Sequence, residues 1–588
     1  MAAKDIDKLK GDVKIPFFKL IKRSLTYVKS EIWYFVLAFV LVLITVGVNV
    51  TLPILQGKIT DSLKSASVAY DVITNIIICY AVLSVFNAIV LYFESILLQY
   101  VGQKIVYRIR MEVFEHIENM SLNQLNEMSV GSLVTRVATY TTNMSNLFTS
   151  NLIQFIRNLF LIFATLGVMY FISYSVALIM TALGVVVFAI CYFFAKKLRE
   201  RFQVEHGLYS DMHKFLNENL QGMEVIQAHN IEEKKIEEFG EINKKLKKAR
   251  YRVVILFVSN RPLIRFIYYL TLSLIFFLVT KDFLAPGDVV TLYVLFGNFF
   301  NPIERIADSL NEFQKAMTSS ERLFNLMDVK PELESEPNAI KIDHFEGKIE
   351  FRHVWFAYEG EDWILKDVSF VVNPKETVAL VGATGSGKTT ILSLIVKNYK
   401  IQKGEILIDD INIEHIDIEY LRRGIGQMLQ DVFLFTGTIR DNITLFDEKY
   451  TDKQLWDVCD YVGASKFVNS KENKFDYEIL EGGVNISQGE RQLLSFARTI
   501  LSYPQILILD EATANIDTET ELTIQNSLKK MKNIGTMIVV AHRLSTIQHS
   551  DKIFVINKGE IVEQGTHQEL LKLKGYYNKL YQIQFKGN

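Results

Sequence analysis

The chain has 588 residues, of which 49% are hydrophobic, and its 64 Lys and Arg nearly balance 66 Asp and Glu for a formal net charge of −2. That length exceeds what one hydrophobic core supports, so at least two domains are expected. Near-neutrality gives no electrostatic case for nucleic acid as a partner. Cys79, Cys191 and Cys459 are too scattered for a disulfide framework or a metal spacing.

Residues 1–30 read as a cytoplasmic, interfacial segment. Pro16 to Lys29 interleaves aromatic and basic residues, as does a helix lying on an anionic leaflet. The first apolar run is too long for a signal peptide and lacks a small-residue cleavage site, so it is expected to stay in the bilayer. No Asp, Glu, Lys or Arg occurs between Glu31 and Lys58, between Asp71 and Glu94, or between Arg157 and Lys196. A bilayer core takes roughly 20 helical residues, so the third run holds two spans, turning near Ser173. With two more apolar segments flanking 281–288, the pattern predicts a transmembrane domain over 31–327. Its six helices are expected at about 31–56, 70–100, 146–172, 174–196, 252–280 and 288–312. Lys and Arg crowd the first 30 residues and are sparse in the short loops, which puts both termini in the cytoplasm of a plasma-membrane protein.

Two cytoplasmic excursions, of about 45 and about 55 residues, read as helix down, turn, helix back, extending the spans by roughly 35 Å at 1.5 Å per residue. Their tips are expected near Leu122 to Gly131 and Tyr209 to Gln221, as candidate docking elements for the soluble half. Within the spans, Arg261 and Arg265 share a helix face. Helical rise puts Arg265 and Glu304 at a common depth, about 24 Å from the outer ends of their spans. Either they form a structural ion pair or they make a polar spot in a translocation cavity, where an unpaired charge costs roughly 2.5 to 3.5 kcal/mol.

Residues 328–344 carry two prolines and mixed charge, the mark of a linker. A soluble domain follows over 345–588, opening with strand-like IEFRHVWFAY. Its VALVGATGSGKTT is a complete phosphate-loop pattern, with Gly382, Ala383, Thr384, Gly385, Ser386, Gly387, Lys388, Thr389 and Thr390 between an apolar strand and a helix. The glycines let backbone N–H groups converge on phosphate, Lys388 supplies a cation, and Thr389 is a ligand for Mg²⁺. Further on, ILILDEATANID delivers Asp510 at a strand end as the second Mg²⁺ ligand. Glu511, next along the chain, is placed to act as general base on an attacking water.

With EGGVNISQGERQLLSFAR and AHRLST added, the chain resembles an ATP-binding cassette exporter, a half-transporter with one membrane domain fused ahead of one nucleotide-binding domain. The resemblance covers nearly the whole chain. It implies a six-helix all-α transmembrane domain followed by an α/β P-loop NTPase domain with a helical subdomain, using ATP and Mg²⁺. It further implies that Tyr358 stacks on adenine, that Gln430 senses Mg²⁺ and the attacking water, and that His542 holds the γ-phosphate. Asp517 would sit at a dimer seam. Ile486, Ser487, Gln488, Gly489 and Glu490 would cap the nucleotide of an opposing protomer, so one chain cannot close its own site.

That segment departs from the family's usual LSGGQ. Glu490 places a carboxylate where an amide is usual, and like charge near a triphosphate weakens capping. The segment is similar to that of one partner in bacterial heterodimeric multidrug-type exporters, so a heterodimer is favoured and a homodimer remains possible. The leading expectation is ATP-driven efflux of small amphipathic or drug-like compounds across the lipid bilayer. The alternatives are a lipid or lipid-linked precursor flippase and a regulatory or channel-like ATPase subunit.

Overall fold

A computed structural model of the chain describes residues 9, 13–64, 70–282, 285–333, 335–336, 338–429, 432–510, 518–531, 534–540 and 548–585. They fall into two compact units, a helical one of Ala3–His116 and Ser129–Val329, and a mixed one of Ile117–Met128 and Lys330–Asn588.

The helical unit opens with α1 (Phe17–Lys29), whose Leu20, Ser24 and Val28 recur every fourth residue and are buried. Its other face exposes Phe18, Lys22, Leu25 and Lys29. The buried face is tied down by polar contacts. Tyr27 donates to Glu112 at 2.7 Å, and Arg23 donates to Asp328 at 2.6 Å while lying 4.4 Å from the Phe324 ring centre.

Four long helices follow: α2 (Ile32–Lys64), α3 (Tyr70–Glu118), α4 (Val130–Ile172, containing two π-helical turns) and α5 (Tyr174–Gln221). Each is long and apolar enough to cross a membrane. The break between α4 and α5 falls at Ser173, which is extended (φ −151°, ψ 112°) and whose hydroxyl accepts the N–H of Val176 to cap α5. The predicted fifth and sixth spans lie on two further continuous helices, α6 (Glu232–Asp282) and α7 (Pro286–Met327). Among the described residues, only the first four helices meet that length-and-composition test.

Helices α2 and α7 meet at glycine. A Cβ on Gly57 would lie 2.1 Å from Thr291 Oγ1 and 2.4 Å from the Gly287 carbonyl oxygen, so no larger residue fits that contact. Below it, Val176 and Met180 pack with Phe296, Phe299 and Phe300. The second excursion differs from expectation. Residues 209–221 remain inside α5, and the turn begins only at Gly222, before the short helix Met223–Ala228. Outside the bilayer a helix needs no apolar period, so the polar run at 209–221 is not a stop signal.

The mixed unit holds two large sheets and a two-stranded antiparallel pair of Gly437–Thr438 with Glu478–Ile479. Of the large sheets, the antiparallel one has order β2-β1-β4-β5, from β1 (Ile349–Ala357), β2 (Trp363–Val372), β4 (Lys403–Ile408) and β5 (Ile411–Asn412). The second is built on β3 (Thr377–Val381), β6 (Ile425–Met428), β7 (Ile506–Asp510), β8 (Thr536–Val540), β9 (Lys552–Asn557) and β10 (Glu560–Gly565), in the order β10-β9-β3-β8-β7-β6. All its pairings are parallel except β9 with β10. TVALV, ILILD and TMIVV are buried along their whole length, which is why these strands read as unbroken apolar runs rather than alternating ones. β3 and β7 flank β8, so their carboxyl ends open onto one edge, where open parallel sheets place their ligands.

Candidate functional site

The loop after β3 leads into α8 (Lys388–Ile395), and its backbone has no alternative to glycine at two points. Gly385 has φ +79° and Gly387 φ +108°, in the left-handed region where a side chain is strained. Gly387 is the N-cap of α8 and no side chain caps that end, so the first N–H groups of the helix keep their donors for a ligand. Ala383, Thr384 and Gly385 form the exposed crown, whereas Ser386, Gly387 and Lys388 are buried beneath it. Lys388 Nζ donates to the carbonyls of Gly382 and Ala383, each at 2.9 Å. Burial pushes its ammonium below the usual lysine range, and the Asp510 carboxylate opposes that. The buried Ser386 hydroxyl has no hydrogen-bond partner among the described residues. Uncapped amides, a desolvated cation and an unpaired hydroxyl fit a phosphate chain.

Thr389 Oγ1 donates to Asp510 Oδ2 at 3.2 Å, bringing two hard oxygens from α8 and β7 together. Among the described residues, no group of three or more His, Cys, Asp or Glu side chains is placed to hold a metal ion. A divalent ion held here would take these two oxygens, with phosphate oxygens and water among its further ligands, as Mg²⁺ commonly does.

Tyr358, 41% exposed, follows β1 and reaches the same loop, its hydroxyl 3.1 Å from Thr390 Oγ1. Tyr399 packs edge-on against it at 5.1 Å between ring centres. Burial raises the Tyr399 phenol, and a side-chain hydrogen bond from Asn126 opposes that shift. Asn126 belongs to the tip helix Leu122–Asn126 of the first excursion, capped by Ser121 in a reciprocal box with Gln124. Gln124 Nε2 donates to the Lys330 carbonyl at 2.8 Å, and Ser121 Oγ donates to Glu332 at 3.2 Å. Asn126 of the tip helix and Tyr358 are thus linked through Tyr399.

The segment Ile486–Glu490 starts α9 (Gln488–Leu501). Ile486 and Gly489 are buried, and Ser487 and Gln488 are exposed. Ser487 Oγ accepts the Glu490 N–H at 3.3 Å, and Glu490 Oε2 accepts the Ser487 N–H at 2.8 Å, a complete capping box. Glu490 Oε1 lies 3.2 Å from Lys471 Nζ. Farther along α9, Arg498 donates to the carbonyls of Asn442 (2.8 Å) and Phe433 (3.1 Å), tying the helix to the loop after β6; burial lowers its pKa.

Gln430, Glu511, Asp517 and His542 lie outside the described residues, as does the side chain of Glu304. Arg265 is exposed in the helical unit, beside a cavity of about 540 Å³ lined with Pro262, Phe266 and Tyr269. A second, polar cavity of about 360 Å³ was not anticipated; it is lined by Asn151, Gln154, Arg157, Asn158, Arg305, Ser309 and Glu312. Beside it Arg157 is ion-paired with Glu94, which is 1% exposed. Those two charges had served only to delimit apolar runs; a charge that ends a run is also one at its edge. Tyr399, Lys471 and Arg498 were missed too, since nothing in their local sequence marks them.

Residues 35–303 match the family described as "ABC transporter transmembrane region", and residues 365–514 match the family "ABC transporter". The chain is 34% identical over 517 residues to the "Probable multidrug resistance ABC transporter ATP-binding/permease protein YheH" of Bacillus subtilis, covering 87% of this chain and 76% of that one. It is 33% identical over 513 residues to an "ATP-dependent lipid A-core flippase" of Desulfotalea psychrophila, covering 85% and 88%. Its fold matches a solved bacterial Atm1-family ABC exporter with ATP bound, at a TM-score of 0.79 and 23% identity, over 94% of this chain and 98% of that one.

Proposed function

The chain belongs to the ABC transporters, an exporter-type transmembrane region fused ahead of an ATP-hydrolysing domain, and from that premise we propose that it drives efflux of small amphipathic or drug-like compounds. Cargo would leave the cytoplasm or inner leaflet across the plasma membrane. Two half-transporters would sandwich ATP and Mg²⁺ between their soluble domains, a heterodimer being favoured over a homodimer, with six spans each and both termini cytoplasmic. Lys388, the amides of α8 and Ser386 bind the phosphates; Thr389 and Asp510, with Gln430, hold Mg²⁺. Glu511 takes the proton of the attacking water, His542 steadies the γ-phosphate and Asp517 lies at the seam. Mg²⁺ would neutralise charge developing on the phosphates.

The observation that carries this reading is the tip helix Leu122–Asn126. It is continuous with the apolar hairpin in sequence, yet it packs within the nucleotide-binding unit and hydrogen-bonds Lys330 and Tyr399. In this reading, nucleotide-dependent movement of that unit would pass to the spans through the chain that joins them to the tip helix. Uptake into inverted vesicles tests it. Glu511→Gln should lower hydrolysis and ATP-driven uptake about 10²- to 10⁴-fold while ATP binding persists. Undiminished uptake by the variant would overturn the proposal.

One observation favours a second reading, movement of a lipid or lipid-linked precursor. The polar cavity holding Arg157 and Arg305 lies about 22 Å below the outer end of α4 by helical rise, at a depth reachable by a headgroup in the inner leaflet. Stimulation of ATP hydrolysis by lipid but not by amphipathic drugs would move the assignment to that class.

A further inference from the structure

Glu490 is the residue whose chemistry conflicts most with its expected task, a carboxylate in a segment meant to face a triphosphate. The capping box occupies only Oε2, and a glutamine would complete the same box without any charge. The charge is met by Lys471, whose Nζ is 3.2 Å from Oε1 in a pair whose side chains are only 20% and 25% exposed.

Lys471 is itself held in place. It follows the helix Ser465–Ser470 as its C-cap, where its N–H donates to the Val468 carbonyl at 3.2 Å and the helix dipole favours a cation. Its ammonium lies 4.9 Å from the Phe467 ring centre and 5.4 Å from that of Tyr477, against the faces that attract cations. The neighbouring cation, Arg491, is committed elsewhere, donating to the Gly482 carbonyl at 3.3 Å.

We infer that Lys471 is a positioning residue of the nucleotide-capping segment: it cancels the Glu490 carboxylate, so that ISQGE offers the triphosphate of an opposing domain a helix start as free of excess negative charge as an amide would give. This rests on the proposed sandwich of two soluble domains. An exposed glutamate would repel the triphosphate; a paired one turns its charge inward, and ISQGE then caps nucleotide as a working signature.

The test uses the full-length assembly purified from its membrane, with Glu511→Gln to suppress turnover, reading the ATP concentration for half-maximal crosslinking between the two soluble domains. Lys471→Met keeps an aliphatic chain over Phe467 and Tyr477 but removes the charge; it should raise that concentration about 3- to 10-fold, with the maximal crosslink unchanged and the effect shrinking at high salt. Lys471→Arg should match the parent. In a Glu490→Gln background Lys471→Met should have no effect, because no carboxylate is left to unmask. A purely structural role would produce the same shift in both backgrounds and a lower melting temperature, and that result overturns the inference, as does no shift in either. If the Lys471 parent shows no ATP-dependent crosslink at all, the sandwich falls and the inference with it; a normal crosslink indifferent to Lys471 defeats the inference alone.

Discussion

Two helices of the soluble unit begin at segments expected to meet phosphate, and they begin in opposite ways. Helix α8 starts at a left-handed glycine that gives its first amides no side-chain cap, while its lysine is drawn back onto two loop carbonyls. Helix α9 starts at a serine that, with Glu490, satisfies two of its own backbone donors. The first end is incomplete without a ligand and the second is complete alone. That contrast suits their proposed tasks. The α8 end must enclose a phosphate chain, so its stabilisation is deferred to the bound state. The α9 end must approach and leave a nucleotide held by another domain, so it has to be stable when nothing is there.

The largest effect that could break this comparison is expected at Lys388. Its ammonium is desolvated by burial, and among the described residues its hydrogen-bond acceptors are two loop carbonyls, so the proposed triphosphate would be its main charged ligand. Lys388→Ala should lower ATP hydrolysis more than about 100-fold and weaken nucleotide binding, because a charge-assisted contact to phosphate is lost from a dry site. Titration with a fluorescent ATP analogue checks this, and unchanged affinity would place the phosphates elsewhere.

A smaller effect is expected from Gly387→Ala. At φ +108° a side chain costs about 1–3 kcal/mol of backbone strain, and the new Cβ would meet Leu365 Cδ2 at 2.7 Å. Leu365 is a flexible neighbour, so the protein should still fold, with its melting temperature lowered by a few degrees and nucleotide affinity down about tenfold. Wild-type affinity in a folded Gly387→Ala protein would show that the uncapped, left-handed start of α8 is not what the ligand uses.

Sequence made the α8 end plain and the α9 end only half so. Residues 382–390 carry their chemistry in consecutive positions, and the apolar strand before them is buried on both faces, so pattern and burial coincide. ISQGE was equally visible, but the meaning of Glu490 depends on Lys471, which a different element supplies. Local pattern does not encode such a pairing. The same holds for Tyr399, placed against Tyr358 only by the fold, and for Glu94 with Arg157, which join helices read separately. The turn of the second excursion, expected near Tyr209 to Gln221, comes later, at Gly222.

The finest distinction between the two ends is Ser487→Ala. The substitution removes the acceptor of the Glu490 N–H and leaves Glu490, its ion pair with Lys471 and the buried positions of a 14-residue helix in place. Loss of an N-cap costs about 1 kcal/mol, and Ser487→Gly only a few tenths. Packing along the rest of α9 should confine the loss to its first turn. Amide exchange at Glu490 should accelerate about fivefold in the nucleotide-free protein, with little change in overall melting temperature. Were exchange there unchanged, the box would not be holding the turn, and α9 would start as openly as α8. The two ends would then differ in sequence but not in how they are stabilised.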